Sequence, residues 1–298
     1  MSASLVVLCA VIALAAVTLW LSIDPGPPAP EQADWLAARQ VMQNEFEAGD
    51  GIRVRPFWLR EAAAVLGELG PVDLSLPPDP LFVAKHKRLW LISAMGRETL
   101  APPTDLSGPD FDERGSGNIV VRRYRVKDSP LVLDLLAQLR SAVVERWVGS
   151  SAHQRCRWNG TLHKCHGEIW QSVRIENKEV GGSPRRCLVM HPFPDHGTVA
   201  ITFPKLTWSK GVLVRMGFTL EAARRPQGSD AEVVFRVNGE QRATKEVARN
   251  GWEWAPTWID TRDIAGQTGS FTIEVSAQKQ DYRELCLDAF LMSRSLQE

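Results

Sequence analysis

Along about the last hundred residues, apolar and polar side chains alternate with a period of two, the pattern of a strand with one buried face. Val233, Phe235 and Val237 share one such face, and Phe271 and Ile273 share another. The strand-like runs cover residues 198–203, 212–220, 231–237, 241–247, 252–259, 271–277 and 285–292. Their short length and regular spacing predict an antiparallel β-sandwich.

The dipeptide Asn238-Gly239 separates two of these runs and predicts a tight hairpin. Both residue types tolerate the positive φ angles of a type I′ turn, which matches the twist of a two-stranded ribbon. The Cys–Trp–Cys spacing of immunoglobulin domains is absent, so a jelly-roll path is favoured. We expect this sandwich to occupy residues 151–298.

Four short motifs in this region resemble the galactose-binding-like jelly rolls. They are VVFRVNGE at 233–240, GW at 251–252, WIDT at 258–261 and FTIEV at 271–275. The resemblance covers about the last hundred residues. It implies a jelly-roll fold, which carbohydrate-binding modules share with many domains that bind no sugar.

Upstream, helical and strand-like patterns alternate and predict a small α/β region over residues 31–150. Trp35, Ala38 and Met42 recur at helical spacing within a helix at 31–48, and a second helix is predicted at 58–69. Predicted strands cover 72–76, 88–94 and 118–126. Residues 101–117 are rich in Pro, Gly and Asp, which predicts a mobile surface loop.

A third helix is predicted from Ser129 to Trp147. Ser129 is a good cap, Pro130 suits a first helical turn, and Leu135 and Leu139 continue an apolar face at helical spacing. With the sandwich, these elements predict an α+β chain.

Two motifs in the middle of the chain are similar to the extracytoplasmic portion of bacterial multi-span glycosyltransferases that use lipid-phosphate sugars. They are KRLWLI at 87–92 and VVRRY at 120–124. This chain lacks the many membrane helices and acidic loops of those enzymes. The likeness therefore implies a detached accessory domain rather than a transferase.

The first part of the chain, residues 1–23, predicts a membrane anchor. Residues 4–23 are nearly all apolar, and twenty helical residues span about 30 Å, the thickness of a bilayer core. A cleaved signal peptide is the alternative, but no basic residue precedes the run and no clear cleavage site follows it. The proline-rich residues 24–30 predict a stiff linker to the body.

Four cysteines remain outside the apolar run, and three pairings of them are possible. Cys156 with Cys165 and Cys187 with Cys286 is the preferred pairing. Disulfides form in oxidising compartments, so we expect a single-span protein of the inner membrane whose body faces the periplasm or the exterior.

Charge excludes some functions. Acidic and basic residues number 35 each, and a nucleic-acid-binding protein would carry a basic face. The sequence contains no phosphate loop, zinc-protease motif or G-x-S-x-G motif, so neither a cofactor nor an enzyme is predicted. Cys156, His163, Cys165 and His166 could hold a metal, but their spacing does not match a zinc knuckle, and a disulfide is preferred.

Two groups of residues are candidates for ligand binding. Trp252 and Trp254 would share a face of a regular strand and could stack on a sugar ring, although Trp is also a common core residue. His191 and His196, with Asp195 between them, could act in acid–base chemistry.

Three functions follow, in order of preference. The first is an anchored extracytoplasmic protein that binds a glycan or envelope polymer. The second is a structural accessory subunit of a membrane protein complex. The third is a glycan hydrolase, using either the histidine-rich loop with a metal or a carboxylate pair drawn from Glu168, Glu176 and Glu179.

Overall fold

The computed structural model describes residues 14, 28–75, 79–96, 106–115, 117–165, 168–193 and 196–295. The chain divides into two compact units, Met1–Lys127 and Asp128–Glu298. Within the described ranges, no helix is long and apolar enough to cross a membrane. The predicted anchor at 4–23 lies, apart from Leu14, outside those ranges.

The N-terminal unit contains a five-stranded mixed sheet. Its strands are β1 (Asp50–Arg55), β2 (Val72–Asp73), β3 (Arg88–Ser93), β4 (Leu106–Arg114) and β5 (Val120–Val126). The strand order is β2-β1-β3-β5-β4. β1 is parallel to both β2 and β3, while β5 is antiparallel to β3 and β4.

Three helices accompany this sheet: α1 (Gln32–Gln43), α2 (Arg60–Leu66) and α3 (Pro80–Ala84). The buried face of α1 carries Trp35, Ala38 and Met42, as the helical spacing predicts. These residues pack in one apolar cluster with Ile52 of β1 and Trp90 of β3. The small α/β region is therefore a layer of helices on a mixed sheet.

A buried carboxylate links the first and third strands. Asp50 accepts hydrogen bonds from Nε and Nη2 of Arg88 at 2.8 and 2.7 Å and from the indole N–H of Trp90 at 2.8 Å. Burial by itself would raise the pKa of Asp50, but the bonds from Arg88 and Trp90 outweigh it and lower that pKa. Asp50 is thus held ionised beside the parallel pair.

One sequence prediction for this unit is wrong, the mobile surface loop at 101–117. In addition, the strand β1, which pairs with β2 and β3, was not predicted. β4 occupies residues 106–114 of the predicted loop 101–117, and its backbone is paired with β5. Proline and aspartate are tolerated there because β4 is an edge strand.

The C-terminal unit is almost entirely β. Its strands are β6 (Leu131–Asp134), β7 (Val143–Trp147), β8 (Gln154–Trp158), β9 (Leu162–Lys164), β10 (Val173–Val180), β11 (Ser183–Met190), β12 (Thr198–Thr207), β13 (Gly211–Phe218), β14 (Ala231–Val237), β15 (Glu240–Val247), β16 (Ala255–Asp260), β17 (Thr268–Ala277) and β18 (Leu285–Met292). A short helix, α4 (Leu220–Arg224), follows β13.

These strands form one antiparallel sheet in the order β15-β14-β17-β12-β7-β8-β9-β10-β11-β18-β13-β16, with β6 paired to β18. The two halves of the sheet share one apolar core. Phe203, Phe235 and Ile273 come from one half, and Leu188 and Leu287 from the other. The predicted sandwich is confirmed in this form, two layers joined through β8.

The predicted helix at 129–147 is wrong. The segment forms β6, a 3₁₀ helix at Leu135–Ser141 and β7. Asp134 caps the 3₁₀ helix by accepting from the N–H of Leu136 at 3.0 Å. The leucines at helical spacing are buried, but β6 and β7 obtain their hydrogen bonds from β18 and β12. Because β6 and β7 belong to the sandwich, the C-terminal unit begins at Asp128 rather than at residue 151.

The predicted hairpin and both disulfides are present. Asn238 and Gly239 have φ angles of +54° and +83° between β14 and β15. Cys156 is bonded to Cys165, and Cys187 to Cys286. The Cys156–Cys165 disulfide also rules out the proposed metal cluster, because neither sulfur is then a thiolate that could bind a metal. His163 is buried and bonds Leu139 O at 2.8 Å, and His166 lies outside the described residues.

The two disulfides should differ in their effect on stability. The Cys187–Cys286 bond closes a separation of 99 residues and the Cys156–Cys165 bond one of 9. Loop-closure entropy predicts that C187A/C286A lowers the free energy of unfolding by about 4.5 kcal/mol and C156A/C165A by about 2.5 kcal/mol. Urea unfolding of the two double variants would measure this. A larger loss for the short loop would contradict the prediction.

Candidate functional site

Two adjoining cavities open near one end of the C-terminal unit. The first, the aromatic cavity, has a volume of about 590 Å³ and is lined by Trp170, Gln171, His191, Gln280 and Tyr282 among others. The second, the basic cavity, has a volume of about 620 Å³, and its lining includes Arg224, Arg225 and Glu179. Lys178, Thr219, Glu221 and Glu284 line both cavities. Because four residues are shared, we treat the two cavities as one cleft.

Two exposed aromatic side chains frame the aromatic cavity. Trp170 lies in the short 3₁₀ helix Ile169–Gln171 and keeps 39% of its surface exposed, and Tyr282 keeps 52%. The Trp170 ring meets the ring of His191 edge-on, with centroids 4.6 Å apart. Both aromatics therefore offer apolar surface to the aromatic cavity.

Tyr282 is presented by a constrained loop. Its φ angle is +56°, a left-handed conformation that is unusual for a residue with a side chain. The guanidinium of Arg225 lies 4.8 Å from the centre of its ring. Such a cation–π contact fixes the ring and the arginine relative to each other.

The next residue, Arg283, holds the wall of the cleft together. Its fully buried guanidinium donates to four carbonyl oxygens: those of Asp281 at 3.2 Å, Arg249 at 2.8 Å, Ala222 at 3.0 Å and Arg225 at 2.7 Å. Burial lowers the pKa of Arg283. One side chain thereby joins the loop before β18, the loop before β16 and the end of α4.

Gly228 makes room for this arginine. A Cβ atom at position 228 would lie closer to the Nε of Arg283 than two nonbonded atoms can approach. The guanidinium carbon also lies 4.9 Å from the ring centre of Phe218. The arginine is therefore enclosed on both sides.

A four-residue charge network crosses the junction of the two cavities. Glu284 accepts from Lys178 Nζ at 2.8 Å and from Arg174 Nη2 at 3.2 Å. Glu176 accepts from the same two cations, at 3.0 and 2.7 Å. The bond from Arg174 lowers the pKa of Glu176. Burial by itself would lower the pKa of Lys178, but the bonds that it donates to Glu284 and Glu176 raise that pKa. Glu176 and Lys178 are thus held charged.

His191 is neutral and oriented. Its Nδ1 lies 2.8 Å from the carbonyl oxygen of Pro192, which can only accept, so Nδ1 carries the proton. Burial lowers the pKa of His191 below its ordinary value. In this tautomer Nε2 is an acceptor for a hydroxyl group.

The structure places His191 in the lining of the cleft. The other three predicted ligand-binding residues, Trp252, Trp254 and His196, lie outside that lining. His196 is exposed in a loop with φ of +59°. Trp254 packs against the Cys187–Cys286 disulfide, between the guanidinium groups of Arg185 and Arg215. Asp195 lies outside the described residues.

Trp252 remains 41% exposed but belongs to a different surface. Its carbonyl accepts from the N–H of Gly181, and its ring lies over Gly182 in the turn between β10 and β11. β16 begins only at Ala255, so residues 252 and 254 do not form the regular strand that was expected. A ligand-binding role for Trp252 stays a prediction.

Sequence reasoning missed Trp170, Tyr282, Lys178 and Glu284. Trp170 and Tyr282 lie in loops, where no periodic pattern separates an exposed aromatic from a buried one. The only local signal is that Tyr282 stands among polar residues between two strands.

Comparison with known proteins gives matches to solved structures alone. No protein-family model matches the sequence, and no curated protein matches it. The CBM51 of GH95 from Clostridium perfringens, in complex with methyl-galactose, has a TM-score of 0.32 and 12% identity, covering 53% of this chain and 98% of that one. CBM27-1 of Caldicellulosiruptor saccharolyticus, in complex with mannohexaose, has a TM-score of 0.35 and 15% identity, covering 57% and 100%.

A third structure contains the CBM51-2 and INT domains of ZmpB from Clostridium perfringens. It has a TM-score of 0.33 and 12% identity, and covers 50% of this chain. This chain spans only 36% of that one. All three neighbours contain carbohydrate-binding modules, in agreement with the resemblance seen in the sequence. At identities and TM-scores this low, they carry no argument about what this chain binds.

Stability should depend on the arginine in the wall. We expect Arg283→Met to lower the free energy of unfolding by about 3 kcal/mol, because it leaves buried carbonyl oxygens without donors. Arg224→Met, an exposed change in the same wall, should cost no more than about 0.5 kcal/mol. Chemical unfolding measures both, and equal losses would show that Arg283 does not hold the wall.

Stability should also depend on pH through His191. Since burial lowers its folded pKa below the ordinary 6.5, the unfolded chain takes up the proton first as the pH falls. The stabilising contribution is therefore present above about pH 6.5 and is lost as the pH falls through that value toward the lowered folded pKa. We expect His191→Asn to lose less stability than the wild type over this interval.

Urea unfolding at a series of pH values would test this. The pKa of His86, in the N-terminal unit, is lowered in the same direction. It contributes equally to the wild type and the variant, so their difference isolates His191. Parallel pH profiles would contradict the prediction.

Proposed function

We propose that this protein binds a glycan in the cleft formed by the aromatic and basic cavities. The observation that carries the proposal is the pair of exposed aromatic rings, Trp170 and Tyr282, at the mouth of a cavity of about 590 Å³. Binding pockets for small molecules have volumes of about 300–1,000 Å³ and combine apolar surface with a few placed polar groups.

The chemistry of the cleft suits a sugar. A pyranose ring has an apolar C–H face, which stacks on an aromatic side chain, and an edge of hydroxyl groups that both donate and accept hydrogen bonds. Gln171 and Gln280 supply amides, Glu284 a carboxylate and neutral His191 an acceptor nitrogen. The charged groups at the junction of the two cavities are already paired with one another: Arg174, Glu176, Lys178 and Glu284. They therefore need no ionic ligand to stay buried.

Binding is favoured over hydrolysis. A glycosidase needs one carboxylic acid with a raised pKa to protonate the leaving group. The pKa of Glu176, one of the predicted acids, is lowered by Arg174 instead. His196, a member of the predicted histidine group, does not line the cleft.

We further propose that the sandwich is a jelly roll, held outside the cytoplasm by a membrane anchor at residues 4–23. The resemblance of motifs at 233–240 and 271–275 supports the fold. The two disulfides support an oxidising compartment, such as the periplasm. A role as an accessory subunit of a membrane complex stays a prediction from the sequence.

The test is binding of the full chain, in mild detergent, to an array of neutral and charged glycans. We expect Trp170→Ala and Tyr282→Ala each to weaken binding about tenfold or more, which corresponds to about 1.4 kcal/mol, through loss of ring stacking.

Trp252→Ala is the matched control, since Trp252 is as exposed as Trp170 but lies outside the cleft. It should leave binding unchanged. Loss of binding in Trp252→Ala alone would move the site to the turn between β10 and β11. Absence of binding by the folded wild type would refute the proposed function.

A further inference from the structure

The basic cavity contains two arginines that the neutral part of a sugar does not require. Arg224 is the last residue of α4, and Arg225 follows it. Both side chains line the cavity. Each guanidinium presents a planar fork of N–H groups that matches a carboxylate or a phosphate.

Arg225 is already placed for such a contact. Its guanidinium lies 4.8 Å from the ring centre of Tyr282, and its backbone carbonyl accepts from Arg283 at 2.7 Å. Among the described residues its one ion pair, with Glu221, is long at 3.7 Å, and the two side chains are 46% and 78% exposed. Pairs this exposed contribute little, so an anionic ligand can compete with Glu221.

Arg224 forms no ion pair within the described part of the chain, and its side chain is exposed. Holding two adjacent like charges on a short helix end is unfavourable, which an anion would relieve.

The lining of the basic cavity is balanced in formal charge, with Lys178, Arg224 and Arg225 against Glu179, Glu221 and Glu284. Glu284 is paired with Lys178 and Arg174 at 2.8 and 3.2 Å. Glu179 lies on β10, whereas the two arginines lie at the end of α4. The two arginines are therefore the cations of this lining that do not belong to the four-residue charge network.

We infer that the glycan carries a carboxylate or phosphate group, which Arg224 and Arg225 bind while Trp170 and Tyr282 hold a sugar ring. This inference rests on the proposed function and specifies its ligand as an acidic glycan. The shared Lys178 and Glu284 would lie under the middle of the bound chain.

Two matched pairs of probes test it with the full chain by titration calorimetry. One pair is trigalacturonate and its methyl ester, and the other is a mannose trisaccharide with and without a terminal phosphate. Within each pair the sugar chain is the same, and one member has its acidic group esterified or absent. Comparing the pairs separates carboxylate from phosphate. We expect one charged form to bind about tenfold tighter than its neutral partner, with the preference falling as salt is added.

The double variant Arg224→Gln/Arg225→Gln should reduce that ratio to about one, and the ratio corrects for any effect on the neutral form through the contact of Arg225 with Tyr282. Arg140→Gln, which removes an exposed charge outside the cleft, should keep the preference. Equal binding of both forms, lack of binding by either charged form, or a preference that survives the double variant would each overturn the inference. None of these results affects array binding that depends on Trp170, so the proposed function is judged separately.

Discussion

The guanidinium of Arg283 is buried and forms no ion pair with a carboxylate among the described residues. It donates instead to four backbone carbonyl oxygens. A buried charge of this kind is stable only when its donors are used, so the loops that supply the carbonyls are fixed relative to one another. Tyr282 and Glu284, on either side of it in the chain, are thereby fixed in the cleft. The left-handed backbone at Tyr282 is held by the same bonds.

A second constraint is the charge network of Arg174, Glu176, Lys178 and Glu284. Each cation contacts both carboxylates, and each carboxylate contacts both cations. The network leaves the centre of the cleft electrically balanced but rich in hydrogen-bonding atoms. Arg224 and Arg225 lie outside this network, at the end of α4.

The sandwich supplies the rigidity that such a site needs. β18 is buried along its whole length and is paired with β11, β13 and β6. The Cys187–Cys286 disulfide joins β11 to β18, under Trp254. The cleft lies where these strands give way to loops, so loop side chains are carried by a covalently linked support.

The sequence by itself determined the elements whose signal is local. Alternation at 231–237 and 271–277 reports which face of a strand is buried, and Asn238-Gly239 specifies a turn by its own backbone preference. The disulfide pairing also followed, because few alternatives exist for four cysteines. Apolar spacing at 129–147 misled, since residues three or four apart are equally buried in a 3₁₀ helix between two strands.

Only the tertiary structure decided the site. Trp170 and Tyr282 are separated by more than a third of the chain, and they meet His191 because of the order in which β10, β11, β18 and β13 pair. No local pattern encodes that order. Nor does any pattern distinguish Trp254, which covers a disulfide, from Trp170, which faces the cleft: both are tryptophans in polar loops, and burial depends on what the rest of the chain places against them.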